Sequence, residues 1–83
     1  MQDQAKAIGE SFKLRRKEMN LSLKEVENST SIRTNYLQFI EEGEFGSLIS
    51  PVHAQGFVKQ YAVFLGMDGE RLVQENPKLF FLS

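Results

Sequence analysis

Residues 21–26, Leu-Ser-Leu-Lys-Glu-Val, leave this chain little local freedom. Ser22 followed three residues later by Glu25 is a capping box: the hydroxyl accepts from the N3 amide while the carboxylate accepts from the N-cap amide. Leu21 and Val26 stand at the positions of a hydrophobic staple across the same turn. A helix therefore begins here. The Asn-Ser-Thr-Ser stretch from Asn28 to Ser31 favours turns and caps over helix interior, so this helix is expected to be short.

Ile32 resumes the apolar pattern, and Tyr36, Leu37 and Ile40 carry it at helical steps until Gly43 supplies a stop. Two short helices about a tight polar turn outline a helix-turn-helix. Upstream, from about Gln4 to Met19, the apolar Ile8, Phe12 and Met19, with Ala5 and Leu14 beside them, predict an amphipathic helix ended by Asn20 in a left-handed conformation. Downstream, a loop is expected to return Phe45, Leu48 and Ile49 to the core. Ser50 and Pro51 read as N-cap and first residue of a fourth helix that closes at Gly66. Asp68 caps a short fifth helix. The domain is expected to span residues 4–75, with 76–83 a tail or the start of a linker. Nothing alternates with period two, so the fold class is all-α, a five-helix bundle containing a repressor-like helix-turn-helix.

Eighty-three residues make one small domain with a modest core, and 41% hydrophobic with 25% charged residues is ordinary for a chain that folds alone. The isolated domain is expected to be a monomer. With no cysteine and one histidine, neither disulfides nor a conventional zinc site can form, and no cofactor or metal is expected. No apolar run reaches the roughly 18–20 residues that span a bilayer, so the chain as given is expected to be soluble. His53 would need a nucleophile and an orienting group to act as a catalytic base, and the sequence offers no matching set, so no enzyme is expected.

Net charge is −1, unevenly spread: residues 1–24 carry six Lys/Arg against three Asp/Glu, 25–50 one against five, and 51–83 three against three. A helix-turn-helix that reads DNA presents its second helix to the major groove, which here would offer Arg33, Thr34, Asn35 and Gln38 to bases or phosphates. Arg33 is the single cation there and Glu41, Glu42 and Glu44 follow, which opposes phosphate binding. The basic cluster Lys13, Arg15, Arg16 and Lys17 reads as a solvated end of the first helix, able to meet phosphates, acidic protein or a lipid surface.

Gly9, the Leu21–Val26 segment, Thr30 with Ile32, the Tyr36–Phe45 pattern YL-x-x-IEEG-x-F and the Val52–Gly66 pattern V-x-x-x-GF-x-K-x-YA-x-x-LG together resemble the N-terminal cytoplasmic helix-turn-helix domain of the RodZ family of bacterial cell-shape proteins. The last pattern is the most specific, since generic repressor-type sequences diverge after Ile40–Gly43. His53 stands where the family usually has an aromatic residue and Ile49 where it often has proline. The resemblance implies an adaptor whose fourth helix binds the actin-like filament protein MreB and links it to the wall-synthesis machinery, with its aromatic pair at Phe57 and Tyr61. It also implies a linker and a membrane span downstream, and a place on the cytoplasmic face of the inner membrane. DNA binding is the alternative.

On the fourth helix, His53, Phe57, Tyr61 and Phe64 fall within about 80° of one another, and Ala54, Val58, Ala62 and Leu65 fill the next 80°. Such an arc suits one row turned inward and one toward a partner, with Phe57 and Tyr61 at least partly exposed. Lys59 and Gln60 complete the expected contact set with His53 and Phe64. Gly56, costly inside a helix, is expected to mark a close helix–helix crossing, the alternative being a flat spot beside Phe57 for a partner.

Overall fold

The computed structural model describes residues 3–45 and 51–80, which form six helices: α1 (Asp3–Glu18), α2 (Leu23–Thr30), α3 (Thr34–Glu41), α4 (Pro51–Phe64), α5 (Gly69–Glu75) and α6 (Pro77–Phe80). There is no strand among the described residues, and the all-α class holds with one short helix more than expected.

Local chemistry sets most of the helix ends. The Ser22 hydroxyl accepts from the Glu25 amide at 3.1 Å and the Glu25 carboxylate from the Ser22 amide at 2.8 Å, which is the capping box in full. Asn20 takes a φ of 58° after α1, and Gly43 a φ of 74° after α3. The Asp68 carboxylate accepts from the Arg71 amide at 3.1 Å at the start of α5. The polar stretch at the end of α2 behaves differently from expectation, because Asn28, Ser29 and Thr30 are still helical and the turn begins at Ser31, with φ 67°. Thr30 makes this possible: its hydroxyl donates to the Val26 carbonyl at 2.8 Å and accepts from the Ile32 amide at 3.1 Å, so it closes the last helical turn and shapes the exit from it.

The helix-turn-helix of α2 and α3 packs against α1 where Gly9 lies, and a Cβ there would stand 2.5 Å from the Glu41 carbonyl oxygen. Phe12, Val26, Ile32, Leu37 and Ile40 bury their side chains from this side and meet Ala54, Val58, Ala62 and Leu65 of α4. On α1 the expected apolar face keeps Phe12 but not Leu14, which is 61% exposed. Two residues after Phe12, Leu14 points about 160° away from it around the helix. Met19 lies past the last helical residue and is partly exposed as well.

Residues 77–80 are a correction to the expected tail. They form α6, whose buried Phe80 ring sits 5.0 Å from that of Phe45, and the Gln55 side-chain amide donates to the Phe80 carbonyl at 3.1 Å. Four residues are too few to show a helical period, and the buried Phe80, the partly buried Leu79 and the Gln55 bond hold this turn on the core. Phe45 returns to the core as expected. Leu48, Ile49, the proposed cap Ser50 and the last three residues lie outside the described residues.

Candidate functional site

The inner row of α4 is buried as expected, and Tyr61 joins it. Tyr61 is 0% exposed, which corrects its placement at a contact surface. On the helical projection it lies only about 20° from Ala54, well inside the core-facing sector. Its ring packs 5.2 Å from that of Phe12, and its hydroxyl donates to Glu41 Oε2 at 2.5 Å, so a polar partner exists where the phenol is buried.

Glu41 in turn holds a buried cation. Arg16 donates from Nε to Glu41 Oε2 at 2.7 Å, from Nη2 to Oε1 at 3.0 Å, and from Nη1 to the Leu21 carbonyl at 2.8 Å. Donation to the Glu41 carboxylate raises the Arg16 pKa above its ordinary value, and burial, followed by the hydrogen bond to Glu41, lifts the Tyr61 phenol above its own. This contact joins α1, α3 and α4. It also changes the reading of the two charged stretches, since Arg16 is withdrawn from the basic cluster and Glu41 from the acidic one. Arg15 is engaged too, donating from Nε to the Leu65 carbonyl at 2.9 Å. The pairing had a signal in the sequence: Gly9, Phe12 and Arg16 follow one another at helical steps on the inward row of α1.

Toward solvent, α4 presents an aromatic patch. The half-buried Phe57 stacks on Tyr36 of α3 with ring centroids 5.3 Å apart and planes 20° from parallel. His53 is exposed, its ring 6.2 Å from Phe57. Tyr36 is the member that sequence reasoning missed, because it was read only as part of the α3 apolar pattern. Phe64 is half-buried at the far end of the helix. Gln60 is exposed, and its side-chain amide donates to the Thr30 carbonyl at 2.8 Å, fastening α4 to the end of α2. Lys59 is turned away from the patch, toward Glu70 of α5 at 3.8 Å. Gly56 is exposed, and a Cβ on it would meet nothing within 4 Å, so the expected helix crossing inside the domain is absent.

The nominal recognition helix is poor in cations. Arg33, Asn35 and Gln38 are exposed, whereas the Thr34 hydroxyl donates to Glu27 Oε1 at 2.6 Å, a bond that draws the Glu27 carboxyl below its usual pKa. The Gln38 side-chain amide donates to Glu42 at 3.3 Å. Among the described residues no group of three or more His, Asp or Glu side chains is placed to hold a metal ion, and no helix is long and apolar enough to cross a membrane.

The helix-turn-helix of α2 and α3, backed by α1 and packed on α4, makes this an all-α helix-turn-helix domain. Residues 12–72 match a helix-turn-helix domain family over most of the chain, and the chain belongs to that family. It is 35% identical over 65 residues to the cytoskeleton protein RodZ of Streptococcus pneumoniae, covering 78% of this chain and 24% of RodZ. The solved structure of YmfM from Staphylococcus aureus, a membrane protein for which DNA binding has been suggested, superposes with a TM-score of 0.79 at 30% identity, covering 88% of this chain and 89% of that one. The helix-turn-helix protein CT009 of Chlamydia trachomatis is 53% identical, covering 93% of this chain and 73% of that one, yet superposes at a TM-score of only 0.54. That protein was crystallised in a sub-domain swap conformation, an arrangement in which segments of the fold are differently placed. The chain spans between 20% and 24% of the length of the curated relatives it matches.

Proposed function

We propose that this chain is the cytoplasmic helix-turn-helix domain of a RodZ-like, non-catalytic adaptor, and that it binds an MreB-like actin filament through α4. The observation that carries this reading is the half-buried stack of Tyr36 on Phe57, with the exposed His53 ring tilted beside it. Large rings with few rotatable bonds, held in place before binding, are what protein interfaces concentrate their energy in. Phe64 extends the patch, Gln60 forms its rim, and Lys59 lies at its edge beside α5. Tyr61 contributes from within, by fixing α4 on Glu41.

The membrane link and the role in cell shape rest on the relatives, one a cytoskeleton protein and another a membrane protein, and would need a segment beyond this domain. DNA binding is the weaker reading, because α3 itself carries no cation, Arg33 stands at its N-cap and acidic residues follow it.

Co-sedimentation with MreB filaments tests the proposal. Phe57→Ala is expected to keep its circular dichroism spectrum and to lose at least tenfold in affinity, whereas Tyr61→Ala is expected to unfold the domain. Filament binding by a folded Phe57→Ala variant at the wild-type level would place the contact elsewhere.

A further inference from the structure

The fold redraws the basic cluster of α1. Arg16 is buried on Glu41 and Arg15 donates to the Leu65 carbonyl, while Lys13 and Lys17 stay exposed. Lys6 joins them, because at 100° per residue Lys6, Lys13 and Lys17 fall within about 40° of one another around the helix and span about 16 Å along it. Among the described residues no carboxylate pairs with any of the three, whereas Lys24 has Glu27 at 3.5 Å and Lys59 has Glu70 at 3.8 Å. Leu14, 61% exposed, lies beside this line in a shallow depression with Glu10, Lys13 and Lys17. The domain's own stability does not account for the arrangement. Lys6 stands in the first turn of α1, where the helix dipole disfavours a cation, and Leu14 lies outside the core.

We infer that this side of α1 docks on an anionic lipid surface, with Lys6, Lys13 and Lys17 on lipid phosphates and Leu14 entering the headgroup layer. The inference rests on the membrane link of the proposed adaptor. Lysines reach phosphates while their stems follow an apolar neighbour, and an exposed leucine among them gains by entering a lipid interface but gains nothing on nucleic acid. Glu10 and Glu42 border the line, so three lysines against two carboxylates leave the face at +1 on a chain of net charge −1. Attraction is therefore local, and it orients the domain. Each lysine near an anionic leaflet is worth about fivefold in affinity, and a membrane tether supplies the high local concentration at which so weak a contact forms. Leu14 points about 160° away from Phe12, which packs on Tyr61 of α4, so lipid contact leaves the Tyr36–Phe57 stack free.

The test is co-sedimentation of the chain at low salt with vesicles of equal parts phosphatidylglycerol and phosphatidylcholine, against phosphatidylcholine alone. Wild type is expected to bind the anionic vesicles only, and less as salt rises. The double variant Lys13→Gln, Lys17→Gln is expected to lose at least tenfold, Leu14→Ser to lose about threefold, and Glu10→Gln to gain about threefold, each with an unchanged circular dichroism spectrum. Arg33→Gln, a charge lost elsewhere on the surface, is expected to bind as wild type. No binding to anionic vesicles, equal binding to both kinds, wild-type binding by the double lysine variant, or an equal loss in Arg33→Gln overturns the inference. Retention of duplex DNA but not of vesicles assigns the lysines to nucleic acid and overturns it as well. Filament co-sedimentation, run alongside, separates the two ideas: if vesicle binding holds and filament binding fails, the filament reading falls and this one stands, and the converse removes this one alone.

Discussion

Tyr61 donates its hydroxyl proton to a carboxylate that already holds a buried guanidinium, and three helices meet in that contact. Removing the hydroxyl leaves Glu41 paired with Arg16, so Tyr61→Phe loses one hydrogen bond without stranding a charge. The expected cost is about 1 kcal/mol, measured by urea denaturation at neutral pH. The pH dependence follows from the raised phenol pKa. A proton held more firmly in the folded state than in the unfolded one stabilises fully below the unfolded value, about 10, and less as pH rises through the folded value. The stability difference between wild type and Tyr61→Phe should therefore be constant up to about pH 10 and shrink above it. A difference that grows in alkali would contradict the assigned hydrogen bond. Spacing alone put Tyr61 with Phe57 because both are aromatic and one turn apart. What separates them is their angle to the core: Tyr61 lies about 20° from Ala54 around the helix and packs on Phe12, and its hydroxyl finds a carboxylate that stands twenty residues earlier in the chain.

At the level of elements, the features that could be read in advance are those completed within a few residues. The capping box at Ser22 and Glu25, the left-handed Asn20 and the Asp68 cap all depend on neighbours in sequence. Ser22→Ala should thus destabilise the domain by about 1 kcal/mol, seen as a lower urea midpoint with an unchanged slope, and a silent substitution would mean that the cap is redundant. The end of α2 shows the limit of such reading. Asn28–Ser31 does contain the turn, but Thr30 bonds back to Val26 and forward to Ile32, which keeps three polar residues helical before the chain turns. Likewise Pro77 is a good first helical residue, but four residues have too little pattern to announce α6.

Across the whole molecule, α6 is a closing piece. Phe80, 1% exposed, packs on Phe45, which connects the chain after α3 to the C-terminal helices. Phe80→Ala should cost about 3–5 kcal/mol, a large share of the stability of so small a domain, and lower the melting temperature sharply. A melting temperature within a few degrees of wild type would show that α6 is dispensable. The candidate site is likewise a product of assembly. Phe57 and His53 could be placed on α4 from their spacing, but their third member, Tyr36, comes from α3 and meets them only because the helix-turn-helix and α4 pack together. The amino-acid order by itself determined α1 to α5, the caps at Ser22 and Asp68 and the amphipathic character of α4, since these depend on contacts within a turn or two. Which α4 side chains face outward, the burial of Arg16 and Glu41 as a pair, and the open space beside Gly56 were decided by the tertiary structure, because each depends on what a distant helix places opposite that residue, or leaves empty.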